Sequence, residues 1–151
     1  MAMTRKQIIT TNKEDINYVF EKLDLTGLEK KLKNMFGFDL SLTKTLNDTH
    51  IKLSSERNLV DEVGILAYGL KSVYIQDFGV IVYKTIEYED IDLEIAKKSL
   101  DCTKFNETIT TIGYDIYVII DARYTLKAGG SNGISLLSGY YNLSKKEWTF
   151  N

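Results

Sequence analysis

The chain contains no proline, a single cysteine (Cys102) and a single histidine (His50). Average usage of about 5% would place roughly seven prolines in a chain of this length. Their absence excludes proline-stiffened turns, proline-rich linkers and polyproline recognition segments. One cysteine and one histidine exclude an internal disulfide and a Cys/His metal site, so no metal and no cofactor is expected. Arginine is also scarce: Arg5, Arg57 and Arg123 are the only ones, and lysine supplies the remaining basic charge. The formal net charge is −2 and the isoelectric point lies near 5.5. No global field then draws the chain to nucleic acid or anionic lipid, and direct nucleic-acid binding is not expected. Long apolar runs are missing as well. Nothing approaches the roughly 18 residues of a membrane span, and Met1-Ala2-Met3-Thr4-Arg5 lacks the apolar segment of a signal peptide. A cytoplasmic location follows as an expectation. The lysine, isoleucine, asparagine and tyrosine bias is that of an AT-rich bacterial or phage gene.

What remains is ordinary globular material. Of the 151 residues, 44% are apolar and 26% charged, enough to build one core without covalent staples. A single α+β domain over 1–151 is expected, helical over 12–36 and sheet-rich over 38–150. Thr11-Asn12-Lys13-Glu14 fits a capping box, followed by Ile16, Val19, Phe20 and Leu23 at helical spacing. Thr26-Gly27-Leu28-Glu29 is a second such box. Leu28, Leu32, Met35 and Phe36 share the face that follows, and Gly37 stands where a left-handed cap would stop the helix.

From Phe38 the period drops to two. Phe38, Leu40, Leu42 and Leu46 lie on one face, interrupted by Lys44, which suggests that this face reaches solvent near the strand end. Asn47-Asp48 offers a tight turn, and Ile51 and Leu53 resume the alternation, which predicts a hairpin. Over 55–69 a short helix and then a strand is the favoured reading, and 90–100 reads as strand, then helix. Lys71 to Ile75 and Gly79 to Tyr88 read as strands about a turn at Gln76-Asp77-Phe78-Gly79. The clearest signal is the run Tyr114, Ile116, Val118, Ile120, Ala122, Tyr124, Leu126, which predicts the core face of a long strand. A glycine-rich loop over 128–133, a strand from Ile134 to Leu143, a turn at Lys145-Lys146 and a last strand with Trp148 and Phe150 complete the chain. The plan is two N-terminal amphipathic helices packed on a twisted, mostly antiparallel sheet of about six strands.

No motif specifies a reaction. Ala128-Gly129-Gly130-Ser131-Asn132-Gly133 lacks the lysine of a phosphate-binding loop and joins two strands. Asp77-Phe78-Gly79 repeats a kinase tripeptide without the rest of a kinase. Glu29-Lys30-Lys31 resembles part of some nuclease signatures, but on a helix. The two helices resemble a helix-turn-helix with Lys30, Lys31 and Lys33 outward, yet strands follow at once and a solvated helix face explains them better. Cys102 with His50 as a thiolate–imidazole pair, and Asp121 with Arg123 beside Asp115 and Tyr117 as a polar stripe, have structural explanations that weigh more. No catalytic residue is assigned.

Two features point to binding. Residues 87–94 place Glu87, Glu89, Asp90, Asp92 and Glu94 within eight positions, a docking edge for a basic partner or an edge guarded against strand pairing. Ten tyrosines and six phenylalanines exceed what a core of this size buries with every hydroxyl satisfied; either most tyrosines sit at the core rim with their hydroxyls in water, or they form a tyrosine-rich sheet face of the kind that binds protein. Tyr140 and Tyr141 must point to opposite faces, so one of them faces out. The expected partner-binding residues are therefore Glu87, Glu89, Asp90, Asp92, Glu94, Tyr140 and Tyr141. The expected function is a cofactor-free inhibitor or decoy that occludes a protein partner with a basic surface, by analogy with phage-encoded anti-CRISPR or immunity proteins. The alternative is a small-molecule-binding or weakly catalytic cup between the curved sheet and the N-terminal helices.

Overall fold

The computed structural model describes residues 3–36, 41–55, 70–89, 109–126 and 128–151. A strand absent from the sequence reading comes first. β1 (Met3–Ile9) pairs antiparallel with β4 (Leu70–Glu89), from Met3 opposite Glu89 to Ile9 opposite Tyr83. β1 is an edge strand and buries little, so no apolar alternation marks it in the sequence.

Thr10 then turns the chain into α1 (Lys13–Lys22). The cap is Asn12 rather than the expected Thr11. Its Oδ1 accepts from the amides of Glu14 and Asp15 at 2.9 and 3.3 Å, which satisfies two of the orphan donors at the helix start. α2 (Thr26–Phe36) likewise begins without the expected box. Asp24 Oδ1 accepts from the amide and hydroxyl of Thr26 at 2.9 and 2.7 Å, while Glu29 Oε2 accepts from the Leu42 amide at 3.0 Å. The apolar faces hold in part: Ile16, Val19 and Leu23 of the first segment and Leu28 and Leu32 of the second are buried, Phe20 is partly buried, Met35 is exposed, and the Phe36 side chain lies outside the described residues.

β2 (Leu42–Asn47) and β3 (His50–Ser55) form the expected hairpin, with Asp48 in the left-handed region at φ 57°. Leu42, Ile51 and Leu53 face inward. Lys44 does not lead that face to solvent. Its ammonium donates to the carbonyls of Phe20 and Leu23 at 2.6 and 2.8 Å and lies 5.0 Å from the Phe20 ring centroid. A lysine interrupts the apolar face because the C-terminus of α1 presents orphan carbonyls there. Gly37, Phe38, Leu40 and the readings for 56–69 and 90–100 lie outside the described residues.

The main sheet is antiparallel throughout, in the order β1-β4-β5-β6-β7, with β5 (Thr110–Leu126), β6 (Ser131–Asn142) and β7 (Glu147–Phe150). With the hairpin as a separate two-stranded sheet, the described strands number seven in two sheets. The turn expected at 76–79 is a bulge inside β4. Ile75 pairs with Ala122 and Asp77 with Asp121, so one extra residue is absorbed and the strand runs on. β5 and β6 are joined through Gly129 and Gly130, at φ 98° and 93°, a conformation that favours glycine. Lys146, at φ 55°, closes the β6–β7 turn with its amide on the Asn142 carbonyl at 2.8 Å.

The core lies between one face of this sheet and the layer formed by the helices and hairpin. Ile116, Val118, Ile120 and Ala122 of β5 are all at most 1% exposed, as the alternation predicts, whereas Tyr114 and Tyr124 are partly buried and Leu126, at the end of the same face, is exposed. Leu137, Tyr141 and Leu143 extend it, and the core cluster joins these residues to Leu28, Leu32, Ile51 and Leu53. β7 closes the end of the layer. A Cβ added at Gly27 would stand 2.7 Å from Trp148 Cδ1, and one at Gly139 would stand 2.7 Å from Phe150 Cδ1. The two rings, stacked at 5.8 Å, thus lie against α2 and β6 where there is no side chain, and Trp148 Nε1 donates to the Asp24 carbonyl at 2.9 Å. Among the described residues, no helix is long and apolar enough to cross a membrane.

Candidate functional site

The face of the main sheet opposite the core is defined by register. Tyr117 pairs with Tyr140 across β5 and β6, and Tyr83 of β4 lies diagonally from Tyr140. The Tyr140 ring centroid is 4.6 Å from that of Tyr117 and 6.4 Å from that of Tyr83, both tilted. Three strands thereby contribute to one aromatic cluster, within the range of favourable ring contacts. Tyr140 is 37% exposed and Tyr141 only 2%, so the adjacent pair divides between the surface and the core.

Carboxylates surround the tyrosines. Asp115 lies between Tyr83 and Asn142 in the register and accepts a 3.3 Å hydrogen bond from Gln7 Nε2. Asp77 and Asp121 are direct cross-strand partners, a like-charge juxtaposition that costs stability on an ordinary sheet face. Glu87 accepts from Arg5 Nε at 2.7 Å across the β1–β4 pair, and Glu89 ends β4. Among the described residues this face carries, by register, Asp77, Glu87, Glu89, Asp115, Asp121 and Glu147 against Arg5 and Arg123. It is thus markedly more acidic than a chain of net charge −2 requires. Arg123 donates to Ser131 Oγ at 2.9 Å. Of the expected partner-binding residues, Glu87, Glu89 and Tyr140 belong to this side. Tyr141 is in the core. Asp90, Asp92 and Glu94 lie outside the described residues.

A second polar cluster, not anticipated from sequence, sits on the inner side of the same sheet. Asp15 Oδ1 accepts from the Tyr114 hydroxyl at 2.6 Å, and Oδ2 accepts from Thr10 Oγ1 at 2.9 Å and Lys84 Nζ at 3.3 Å. One carboxylate so ties α1 to β4, to β5 and to the end of β1. Burial pushes the Asp15 carboxyl up, but the hydrogen bonds from Tyr114, Thr10 and Lys84, with the Lys84 charge, outweigh it and hold the group below its usual value. Burial and the Asp15 carboxylate push the Tyr114 phenol far up. A carboxylate with three donors and a phenol whose proton is held this firmly are poorly suited to proton exchange at neutral pH. No sequence pattern announces this cluster, because Asp15 and Tyr114, which it joins, stand 99 positions apart.

His50 is exposed at the hairpin turn, in the wall of a small cavity of about 180 Å³, and Cys102 lies outside the described residues. Among the described residues, no group of three or more His, Cys, Asp or Glu side chains could hold a metal ion. None of their buried polar side-chain atoms lacks a hydrogen-bond partner. Comparison with protein-family models, with curated proteins and with solved structures finds no match to this chain.

Proposed function

We propose that the protein is a cofactor-free binding module that engages a protein partner with a basic surface through the outer face of its main sheet. The observation that carries this reading is the Tyr83, Tyr117 and Tyr140 cluster set among carboxylates. Tyrosine offers a large, rigid contact area at low entropic cost with a hydroxyl for orientation. The surrounding carboxylates steer a cationic partner and reject an acidic one. A like-charge pair such as Asp77 and Asp121 is tolerated on a face whose charge is neutralised on binding. The effect of such a module is stoichiometric occlusion, as in an inhibitor or decoy.

The test is affinity capture from the producing cell with the wild-type chain and two variants, Tyr140→Ser and the double substitution Asp77→Lys with Asp121→Lys, followed by mass spectrometry and titration of the captured protein. Loss of the captured partner with either variant, while both retain the wild-type fold by circular dichroism, supports the reading. A partner held equally well by all three chains places the interface elsewhere.

A further inference from the structure

A cleft of about 320 Å³ opens on the helix side of the molecule, between α1, the start of β5 and the β6–β7 turn. Its walls include Tyr18 and Lys22 of α1, Ile112 and Tyr114 of β5, and Ser144 and Lys146 of the turn. The described residues that line it include two ammonium groups and no carboxylate, in a chain whose net charge is negative. That local excess of positive charge selects an anion. The nearby Asp24 carboxylate feels the Lys146 charge, but the amide and hydroxyl of Thr26 hold it at 2.9 and 2.7 Å.

The remainder of the lining is aromatic and aliphatic. The Tyr18 and Tyr114 ring centroids are 5.4 Å apart, tilted by 45°, and Ile112 is 40% exposed. Tyr114 is fixed through its hydroxyl on Asp15 at 2.6 Å, so this wall is in place before any ligand arrives. Lys22 Nζ lies 5.3 Å from the Tyr18 ring centroid, so a charge and an aromatic ring stand side by side at the mouth of the cleft. The volume lies at the lower end of small-molecule sites and leaves room beside a phosphate group for a planar ring.

We propose that this cleft binds a small anion bearing a flat ring, of the nucleoside monophosphate class. Lys22, Lys146 and the Ser144 hydroxyl take the phosphate, while Tyr18 and Ile112 take the ring. The site is on the opposite side of the main sheet from the tyrosine face, so its existence does not depend on the partner reading above.

The experiment is an NMR titration of the whole chain at low ionic strength with adenosine monophosphate, inorganic phosphate and adenosine as separate probes. Saturable shifts at Tyr18, Gly113 and Lys146 are expected with the nucleotide, at an affinity at least about tenfold above that of either half. Lys22→Ala and Lys146→Ala should each weaken the nucleotide at least about fivefold. Tyr18→Ala should weaken the nucleotide and leave phosphate unchanged. Both lysines and Tyr18 are exposed, so these variants retain the fold, which circular dichroism checks. Absence of saturation by the nucleotide up to about 5 mM overturns the proposal. It is overturned equally by phosphate binding as tightly as the nucleotide, or by nucleotide binding that is insensitive to both lysine substitutions.

Discussion

Tyr114 donates a 2.6 Å hydrogen bond to Asp15 from 99 residues further along the chain. The contact fastens α1 to the long strand β5, and it makes folding stability depend on pH at both ends of the scale. Asp15 has a carboxyl held below its ordinary 3.8 in the folded chain, so its contribution is fully present above that value and fades as pH falls through the depressed one. Tyr114 has its phenol raised above its ordinary 10.0. Its contribution is present below that value and is lost as pH rises further. Tyr114→Phe removes a hydrogen bond to a charged group and should cost about 1.5–3 kcal/mol at neutral pH. Urea denaturation at pH 7 and pH 3 checks the cost and its acid limb, since the gap between wild type and Tyr114→Phe should narrow at the lower pH. A gap that stays constant would show that the phenol and carboxylate are not coupled.

The two faces of β5 should answer oppositely to truncation. Ile120 is fully buried, and Ile120→Ala should cost about 2–5 kcal/mol through lost transfer energy and the cavity left behind. Asp121 is partly exposed and stands opposite Asp77, so Asp121→Ala removes a like-charge pair and should change stability by no more than about 1 kcal/mol, in the stabilising direction. Chemical denaturation of the two variants side by side tests the order. A larger loss from Asp121→Ala than from Ile120→Ala would contradict the assigned faces.

Period and punctuation made much of this legible in the sequence. Ile116, Val118, Ile120 and Ala122 alternate cleanly because one side of β5 is core, and the Tyr140-Tyr141 step had to place one ring on each side of β6. The same signals fail where burial is slight or a partner is remote. β1 carries no alternation because an edge strand buries almost nothing on either face. Lys44 breaks a pattern for the sake of the α1 carbonyls, at residues more than twenty positions earlier. Gln76-Asp77-Phe78-Gly79 has the composition of a turn, yet flanking strands paired along β5 hold it extended and confine the surplus residue to a bulge. The tyrosine cluster joins β4, β5 and β6, and cross-strand register is a long-range property that composition only hints at.

Packing at the C-terminal strand yields a local prediction. Gly27 and Gly139 leave hollows filled by Trp148 and Phe150, and a methyl group at either would meet a ring carbon at 2.7 Å. These are atoms of rings held in a stacked pair, so relief requires β7 to move. Gly27→Ala and Gly139→Ala should each cost about 1–3 kcal/mol as overpacking. Because Trp148 is the sole tryptophan, its fluorescence reports the displacement directly. Emission in Gly27→Ala should shift to the red as the indole loses its bond to the Asp24 carbonyl. An unchanged spectrum with unchanged stability would mean that the strand accommodates the methyl group without moving.

The last prediction concerns how the outer face acts if it meets a basic partner. Steering by carboxylates raises the rate of encounter and is screened by salt, whereas a packed tyrosine acts after contact, on the lifetime of the complex. The two kinds of residue should therefore separate kinetically. Asp77→Asn with Asp121→Asn should lower the association rate and flatten its dependence on ionic strength, with little effect on dissociation. Tyr140→Ala should leave association nearly unchanged and speed dissociation, by about thirtyfold or more if the ring is one of the few anchors that carry an interface. The fold should survive both changes, since Tyr140 is partly exposed and the two aspartates are cross-strand partners at the sheet surface. Surface plasmon resonance against the captured partner at two salt concentrations separates the effects. Association insensitive to the aspartate substitutions, together with dissociation unaffected by Tyr140→Ala, would remove this face from the interface.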